Sequence, residues 1–103
     1  MLLSMTNQDN TMIKYTDGNQ VIEAMLFEDN RKSAHYAFNI INDVRLDALV
    51  APQRSIDYIM NNGRITLRNG ESASHGDYII KDSIGDIKKL SAEEFKATYN
   101  PVR

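Results

Sequence analysis

The stretch that decides the fold is HGDYIIKDSIGDI at residues 75–87, followed by LSAEEF at residues 90–95. Two runs of strand-forming residues, 77–81 and 86–90, flank the turn sequence Ser83-Ile84-Gly85. Short apolar runs on either side of a glycine-containing turn are typical of an antiparallel hairpin. The last third of the chain is therefore predicted to contain two paired strands.

A helix is predicted to begin directly after this hairpin. Ser91 and Glu94 have the spacing of a capping box, in which each side chain binds the backbone N–H of the other residue. Leu90 and Phe95 occupy the positions of a hydrophobic staple. Asn100-Pro101 is predicted to end the helix, since proline disfavours helical backbone at the residue before it.

The first half of the chain predicts a second hairpin. Residues 12–15 and 21–27 are strand-forming runs, and Asp17-Gly18 between them is a strong turn signal. Both faces of the second run are largely apolar, which is typical of a central strand. After Glu28-Asp29-Asn30, apolar residues recur at the spacing of an amphipathic helix: Ala34, Ala37, Phe38, Ile41 and Val44. Residues 46–50 are a candidate continuation of this helix, and Ala51-Pro52 is predicted to end it.

The middle of the chain predicts three short strands, at residues 55–60, 64–68 and 77–81. Asn61-Asn62-Gly63 is read as the turn that links the first two. In 64–68 the alternation places Ile65 and Leu67 inward and the two arginines outward.

The predicted fold class is therefore α+β. It combines a small antiparallel β-sheet, partly a barrel-like meander, with one amphipathic helix after the first hairpin and a short C-terminal helix. Residues 1–11 are predicted to be a weakly ordered extension and residues 12–103 a single domain, with Met1, Met5 and Met12 as alternative starts.

Composition narrows the classes of function. The 103 residues include 12 basic and 14 acidic side chains, so the chain lacks the basic excess of a nucleic-acid binder. No apolar run approaches the ~20 residues of a membrane span. There is no cysteine, which removes thiolate chemistry and cysteine-based zinc sites. The composition favours a cytoplasmic protein without a membrane partner, and no cofactor is predicted.

Two kinds of candidate binding residue stand out in the strands. Glu23 is an acidic residue inside an apolar run, where a carboxylate needs a partner. Glu23 either pairs within the structure, for example with an arginine of an adjacent strand, or contacts a ligand or partner on an exposed sheet face. Arg64 and Arg68 share one face of a strand, where two guanidinium groups either form a solvated surface or bind an anion.

The turn before the last hairpin holds three more candidates, His75, Asp77 and Tyr78. A histidine and an aspartate two residues apart either cap the turn or support proton transfer. The first reading is favoured, because no serine lies in a nucleophile elbow, and no catalytic or metal-binding residue is predicted. Tyrosines are unusually many for so small a core, and tyrosine is enriched at interfaces as well as at core edges; they are Tyr36, Tyr58, Tyr78 and Tyr99.

Two blocks of sequence resemble a widespread group of small bacteriophage and prophage proteins of the PGDYG type, whose activity is unknown. The blocks are Ile13-Lys14-Tyr15 with Val21-Ile22-Glu23-Ala24 and Phe27, and Gly76-Asp77-Tyr78-Ile79-Ile80 with Gly85 and residues 95–99. Two features depart from that pattern. His75 stands where the family has proline, and Leu90-Ser91-Ala92 replaces a Cys-Lys-Pro-like segment. The resemblance implies a phage gene, and it supplies no catalytic residues.

These observations lead to a hypothesis and two alternatives. The leading one is a phage-encoded, non-enzymatic protein that binds a host protein and inhibits or modulates it, with a component of a defence system as the target. The first alternative is an oligomeric sponge for an anionic nucleotide signal. The second is a structural or replication accessory protein of the phage. A homodimer is expected, because a small domain with a spare sheet edge and many tyrosines often self-associates.

Overall fold

The computed structural model describes residues 13–42 and 52–102. Its elements in chain order are β1 Ile13–Thr16, β2 Val21–Leu26, α1 Arg31–Ile41, α2 Gln53–Asn62, β3 Arg64–Thr66, β4 Ser72–Ser74, β5 Tyr78–Lys81, β6 Ile87–Leu90, α3 Ala92–Thr98 and β7 Asn100–Pro101. Five strands form one antiparallel sheet in the order β6-β5-β2-β1-β7, and β3 pairs with β4 in a second sheet. The α+β class with an antiparallel sheet is confirmed.

The central strand of the five-stranded sheet is β2, as predicted. Buried side chains of this strand pack on both faces of the sheet. Met25 and Phe27 pack on one face with buried residues of α1 and α2. Ile22 and Ala24 pack on the other face with Phe95 of α3. The two apolar faces of one strand therefore serve two separate hydrophobic clusters. The prediction drawn from the two apolar faces of 21–27 is confirmed.

Helix α1 begins where the sequence predicts. The Asn30 side chain accepts a hydrogen bond from the Ser33 backbone N–H at 2.7 Å, as an N-cap residue does. The Ser33 hydroxyl in turn accepts a bond from the Glu28 backbone N–H at 2.8 Å. Val44 and the predicted continuation over residues 46–50 lie outside the described residues, as does the predicted extension over residues 1–11.

The strand predicted at residues 55–60 is wrong, because this segment lies within helix α2. Ile56 and Ile59 are its buried residues, and Met60 packs against the same cluster. Their three- and four-residue spacing is the period of a helix, so the apolar residues were assigned the wrong period.

The turn assigned to Asn61-Asn62-Gly63 is wrong for the same reason, since Gly63 ends α2 rather than a hairpin. Gly63 has φ 68°, and its N–H donates to the carbonyl oxygen of Ile59 at 2.9 Å. This left-handed residue is the usual end of a helix, and glycine adopts it without the strain that a Cβ would add. The chain then reverses directly into β3.

Strand β3 pairs with β4, a strand that was not predicted. Ile65 and Leu67 are buried while Arg64 and Arg68 are exposed, so the predicted alternation is confirmed. Arg68, however, lies beyond the end of β3. Ser-Ala-Ser in β4 carries no strand-forming residue, and its position is set by pairing with β3.

Helix α3 confirms the capping prediction. The Ser91 hydroxyl accepts from the Glu94 N–H at 3.2 Å, and the Glu94 carboxylate accepts from the Ser91 N–H at 3.3 Å. Leu90 packs against the cluster that contains Phe95, as the staple predicts. After the helix ends at Thr98, Asn100–Pro101 forms β7 beside β1. None of the helices in the described residues is long and apolar enough to cross a membrane.

Candidate binding groove

A groove of about 490 Å³ lies between α1, α2 and β3. We call it the arginine groove, and its lining residues are Phe38, Ile41, Asn42, Arg54, Ser55, Tyr58, Ile59, Arg64, Ile65 and Thr66. Three consecutive elements of the chain contribute to it, so its shape depends on the short link through Gly63 that turns α2 into β3.

The floor of the groove is apolar. Ile41, Ile59 and Ile65 line it and belong to the buried cluster between the helices and the sheet. Because these side chains also hold α1, α2 and β3 together, the floor is a fixed part of the core. The volume of the groove falls within the range of about 300–1,000 Å³ that is typical of ligand sites.

The rim of the groove carries two arginines and an exposed tyrosine. Arg54 and Tyr58 are four residues apart on α2 and therefore project from the same helix face. Arg64 comes from the first position of β3. The Tyr58 side chain is 66% exposed, a large value for an aromatic residue on a helix that packs into the core.

The described residues that line the groove carry a net positive charge, although the whole chain carries a formal charge of −2. Its ten lining residues include two guanidinium groups and no acidic side chain. In the part of the chain that the structure describes, neither Arg54 nor Arg64 forms an ion pair or a side-chain hydrogen bond. The nearby Asp57 pairs with Arg31 at 2.8 Å.

Arg64 and Arg68 line different hollows, so the structure does not support a single anion site formed by the pair. Arg64 lines the arginine groove, whereas Arg68 lines a second hollow beside Asn69 and Lys88. The Arg68 Nε–H donates to the carbonyl oxygen of Ile41 at 2.8 Å. A cation at this position complements the negative end of α1.

Glu23 lies in a third hollow, away from the groove. The strand register places it directly between Lys14 of β1 and Lys81 of β5. The basic neighbours of this carboxylate on the adjacent strands are therefore lysines and not arginines. Val21 and Ile84, both exposed, line the same hollow of about 530 Å³.

Asp77 shapes the turn before β5. Its carboxylate accepts from the Ser74 N–H at 2.9 Å and lies 3.8 Å from Lys89 Nζ. Asp77 therefore caps the turn, which is the role that the sequence favours for it.

His75 does not interact with Asp77 as a proton-transfer pair would. Its ring packs against Phe27 with centroids 4.9 Å apart, and its Nε2 lies 3.9 Å from the Asp29 carboxylate. That nitrogen is buried and makes no hydrogen bond within the described residues. His75 is therefore a packing residue at the junction of β2, β4 and the end of α2.

Tyr78 lies on the opposite face of the sheet, where it stacks on Phe95 at 3.9 Å. Of the six predicted binding residues, only Arg64 lies in the arginine groove. Arg54 was not among the predicted binding residues, and Tyr58 was named only as one of several tyrosines. The reason is that residues 55–60, which include Tyr58 and directly follow Arg54, were predicted to form a strand. The helical spacing of Ile56, Ile59 and Met60 is the signal that would have placed them.

Comparisons of the chain with protein families, with curated proteins and with solved structures found no match. The functional argument therefore depends on the geometry of the groove.

Proposed function

We propose that this chain is a non-enzymatic binding protein whose arginine groove holds an acidic surface of a host protein, which it thereby inhibits or modulates. The observation that carries this proposal is the pair Arg54 and Arg64, two cations that have no ion-pair partner within residues 13–42 and 52–102 and lie beside the exposed Tyr58 above an apolar floor. Tyrosine and arginine are, with tryptophan, the residues enriched among those that dominate binding energy at protein interfaces.

The chemistry of the groove suits binding better than catalysis. Its lining contains hydroxyl groups from Ser55 and Thr66, but none of its ten residues is a histidine or a carboxylate that could act on them as a base. A partner that covers the groove would desolvate the two guanidinium groups, and a carboxylate on the partner could bind each of them bidentately. Desolvation of the guanidinium groups costs free energy, and these charge-assisted bonds offset that cost.

The resemblance to small phage proteins supports a bacterial protein as the partner, in the cytoplasm of the host cell. A component of a defence system is the kind of target that we propose, by analogy with the roles of small accessory phage proteins. The phage origin is itself part of this proposal.

Affinity capture from a bacterial host lysate tests the proposal. We expect the wild-type chain to retain one polypeptide in stoichiometric amount, identified by mass spectrometry and released by salt. The double variant Arg54→Ala/Arg64→Ala should lose it. Lys32→Ala/Lys96→Ala is the matched control, because it removes the same charge from exposed positions outside the groove and should retain the partner. Failure to retain any stoichiometric partner would overturn the proposal.

A second candidate, an anionic nucleotide ligand, is favoured by the rings of Phe38 and Tyr58 in the same groove as the arginines. A base could stack on an aromatic ring while the guanidinium groups bind phosphate. Thermal-shift measurements with a panel of cyclic nucleotides separate the two candidates. A rise of several degrees that Arg64→Ala removes would favour the nucleotide, and an unchanged melting temperature across the panel would remove it.

A further inference from the structure

The hydrogen bonds of the β3–β4 hairpin fix the direction of the backbone groups in β3. The Leu67 N–H donates to the carbonyl oxygen of Glu71 at 2.7 Å, which makes these two residues a hydrogen-bonded pair. Such pairs alternate with non-hydrogen-bonded pairs along an antiparallel ladder, so Ile65, two residues earlier, also bonds to β4. The N–H and C=O groups of Arg64 and Thr66 therefore point away from β4.

These outward groups belong to two residues that solvent reaches. Arg64 and Thr66 are exposed, whereas Ile65 between them is buried. Strand β3 pairs with β4 and with no other strand of the described chain, and the outward backbone groups of Arg64 and Thr66 have no hydrogen-bond partner there. The edge of β3 is therefore open to a further strand at both positions.

The arginine groove runs along this edge. Among the residues that the structure describes, all three of β3 line the groove and none of β4 does. The groove therefore lies on the side of β3 to which the outward groups point. Arg54 and Tyr58 of α2 line it as well, so a segment in the groove would have the backbone of β3 on one side and α2 on the other.

The backbone of β3 distinguishes an extended occupant from a helical one. An extended chain presents N–H and C=O groups along its edge, whereas the interior of a helix has used these groups for its own bonds. A partner that covers the groove removes water from Arg64 and Thr66, and a backbone group that is buried without a partner is costly. An extended segment gives both residues partners, and a helix leaves them unpaired.

The positions of the two cations define the occupant further. Arg54 precedes Gly63 by nine residues of α2, which is about 14 Å along the helix axis, and Arg64 directly follows Gly63. The two arginines thus lie towards opposite ends of the groove. An extended chain covers about 13 Å in four residues, and residues four apart share one face. Two carboxylates with this spacing would each lie near an arginine.

The residues between the two carboxylates face the floor of the groove. Directly opposed residues of an antiparallel pair share a face of the sheet, so the residue opposite Ile65 points towards the buried cluster to which Ile65 belongs. Apolar residues suit this position and the one two residues further along. The complementary segment is therefore acidic-apolar-polar-apolar-acidic, a pattern that is the same in both chain directions.

A second copy of this chain fits the edge poorly. Its own α2 lines the same side of its β3, so its helix would meet α2 of the first copy before the two strands could pair. Even the two-fold register centred on Ile65, which sets Arg64 opposite Thr66, gathers Arg54 and Arg64 of both copies at one interface. No lining residue in the described part of the groove is acidic and could offset these charges. The groove therefore selects a foreign acidic segment.

We propose that an extended acidic segment of a partner protein enters the arginine groove and pairs antiparallel with β3, as a third strand of the β3–β4 sheet. This inference rests on the proposed function and names the form of the partner that the groove binds. The main-chain bonds of the segment are made to Arg64 and Thr66, and its two carboxylates lie beside Arg54 and Arg64. Antiparallel pairing is the more stable arrangement per residue. In such strand addition, backbone bonds supply affinity and side chains supply specificity.

The test uses the full chain, the synthetic peptide Glu-Val-Thr-Val-Glu with blocked ends, and hydrogen exchange of the backbone amides followed by NMR. We expect the peptide to protect the Arg64 and Thr66 amides, while the Ile65 amide, which already bonds to β4, changes little. The peptide Lys-Val-Thr-Val-Lys should bind about tenfold more weakly, and Arg54→Ala/Arg64→Ala should remove this preference. Equal binding of the two peptides by the wild type would overturn this inference together with the acidic partner of the proposed function.

Methylation of the peptide backbone tests the strand pairing itself. In this pairing the threonine N–H of the acidic peptide faces β3, and the two valine N–H groups face away from it. We expect N-methylation at threonine to weaken binding about fivefold, through the loss of one hydrogen bond, and N-methylation at a valine to leave binding unchanged.

Two results would overturn the strand pairing and leave the capture of an acidic partner by the two arginines standing. One is a threonine-methylated peptide that binds at least as well as the valine-methylated one, and the other is a lack of protection at the Arg64 and Thr66 amides. Concentration-dependent protection of these two amides in the protein alone would assign the edge to a second copy and also overturn the pairing.

Discussion

The ring of Tyr78 lies parallel to the ring of Phe95, with centroids 3.9 Å apart and 7° between the planes. This contact joins β5 to α3, and Phe95 also meets Tyr15 edge-on at 4.7 Å and Tyr99 at 5.3 Å. One buried ring on a seven-residue helix thus has aromatic neighbours from β1, β5 and its own C-cap. The helix is too short to be stable alone, so this cluster holds it on the sheet.

Replacing Phe95 by alanine should destabilise the fold by about 3–5 kcal/mol, because it empties the centre of this aromatic cluster. A double-mutant cycle with Tyr78→Ala should give a coupling energy of about 1 kcal/mol, beyond what the loss of buried area explains. Chemical denaturation of the wild type and the three variants measures both quantities. Additive effects of the two substitutions would contradict the stacked geometry.

The chain should lose stability at alkaline pH through Tyr15. Burial raises the pKa of the Tyr15 hydroxyl above its usual value of 10.0, and a negative charge on Tyr78 raises it further. The unfolded chain therefore releases this proton at a lower pH than the folded chain does. The stabilising contribution is complete below about pH 10 and is lost as the pH rises through the folded-state pKa.

Thermal unfolding of wild type and Tyr15→Phe between pH 8 and pH 11 checks this prediction. The phenylalanine variant should show a smaller alkaline loss of stability, since it has no hydroxyl to ionise. Parallel pH profiles for the two proteins would contradict it.

Gly63→Ala should cost about 1 kcal/mol of stability, because alanine is strained at the left-handed φ of 68°. A Cβ at this position would lie 3.6 Å from the His75 ring, which is an ordinary contact, so the cost is one of backbone conformation. Gly63→Asn should cost less, since asparagine tolerates this conformation. Urea denaturation measures both variants, and equal losses would contradict a purely conformational cause.

Truncation of two adjacent residues of α2 should change stability by very different amounts. Ile59→Ala should destabilise the fold by about 2–5 kcal/mol, since Ile59 is buried in the main cluster. Tyr58→Ala should change stability by less than about 1 kcal/mol, because its side chain is mostly exposed. Circular dichroism with urea denaturation measures both, and similar losses would show that residues 55–60 do not present these two faces.

The elements with strong local signals were predictable from the sequence. The capping box at Ser91 and Glu94 marks the start of α3 by chemistry that needs no tertiary contact. The Asp17-Gly18 turn and the two apolar faces of β2 likewise place the first hairpin and the central strand. In each case, the residues that carry the sequence pattern are the same residues that make up the cap, the turn or the strand.

The arginine groove was not predicted, for two physical reasons. The apolar residues of α2 are few: Ile56, Ile59 and Met60 have helical spacing, but Ile56, Tyr58 and Met60 also alternate as in a strand, so six residues leave the period ambiguous. Strand β4 has no intrinsic preference for extended structure and forms because β3 lies beside it. Because α2 was predicted to be a strand and β4 was not predicted, the sequence did not indicate that Arg54 and Tyr58 lie beside Arg64.

The central claim is that the arginine groove holds an acidic partner. It is tested most directly by titration calorimetry of the captured polypeptide against the wild type, Arg54→Ala/Arg64→Ala and Lys32→Ala/Lys96→Ala. We predict that the groove variant binds at least about 100-fold more weakly, as the loss of two dominant interface residues requires, and that the control binds within about twofold of wild type. Equal affinity of the groove variant and the control would contradict the account.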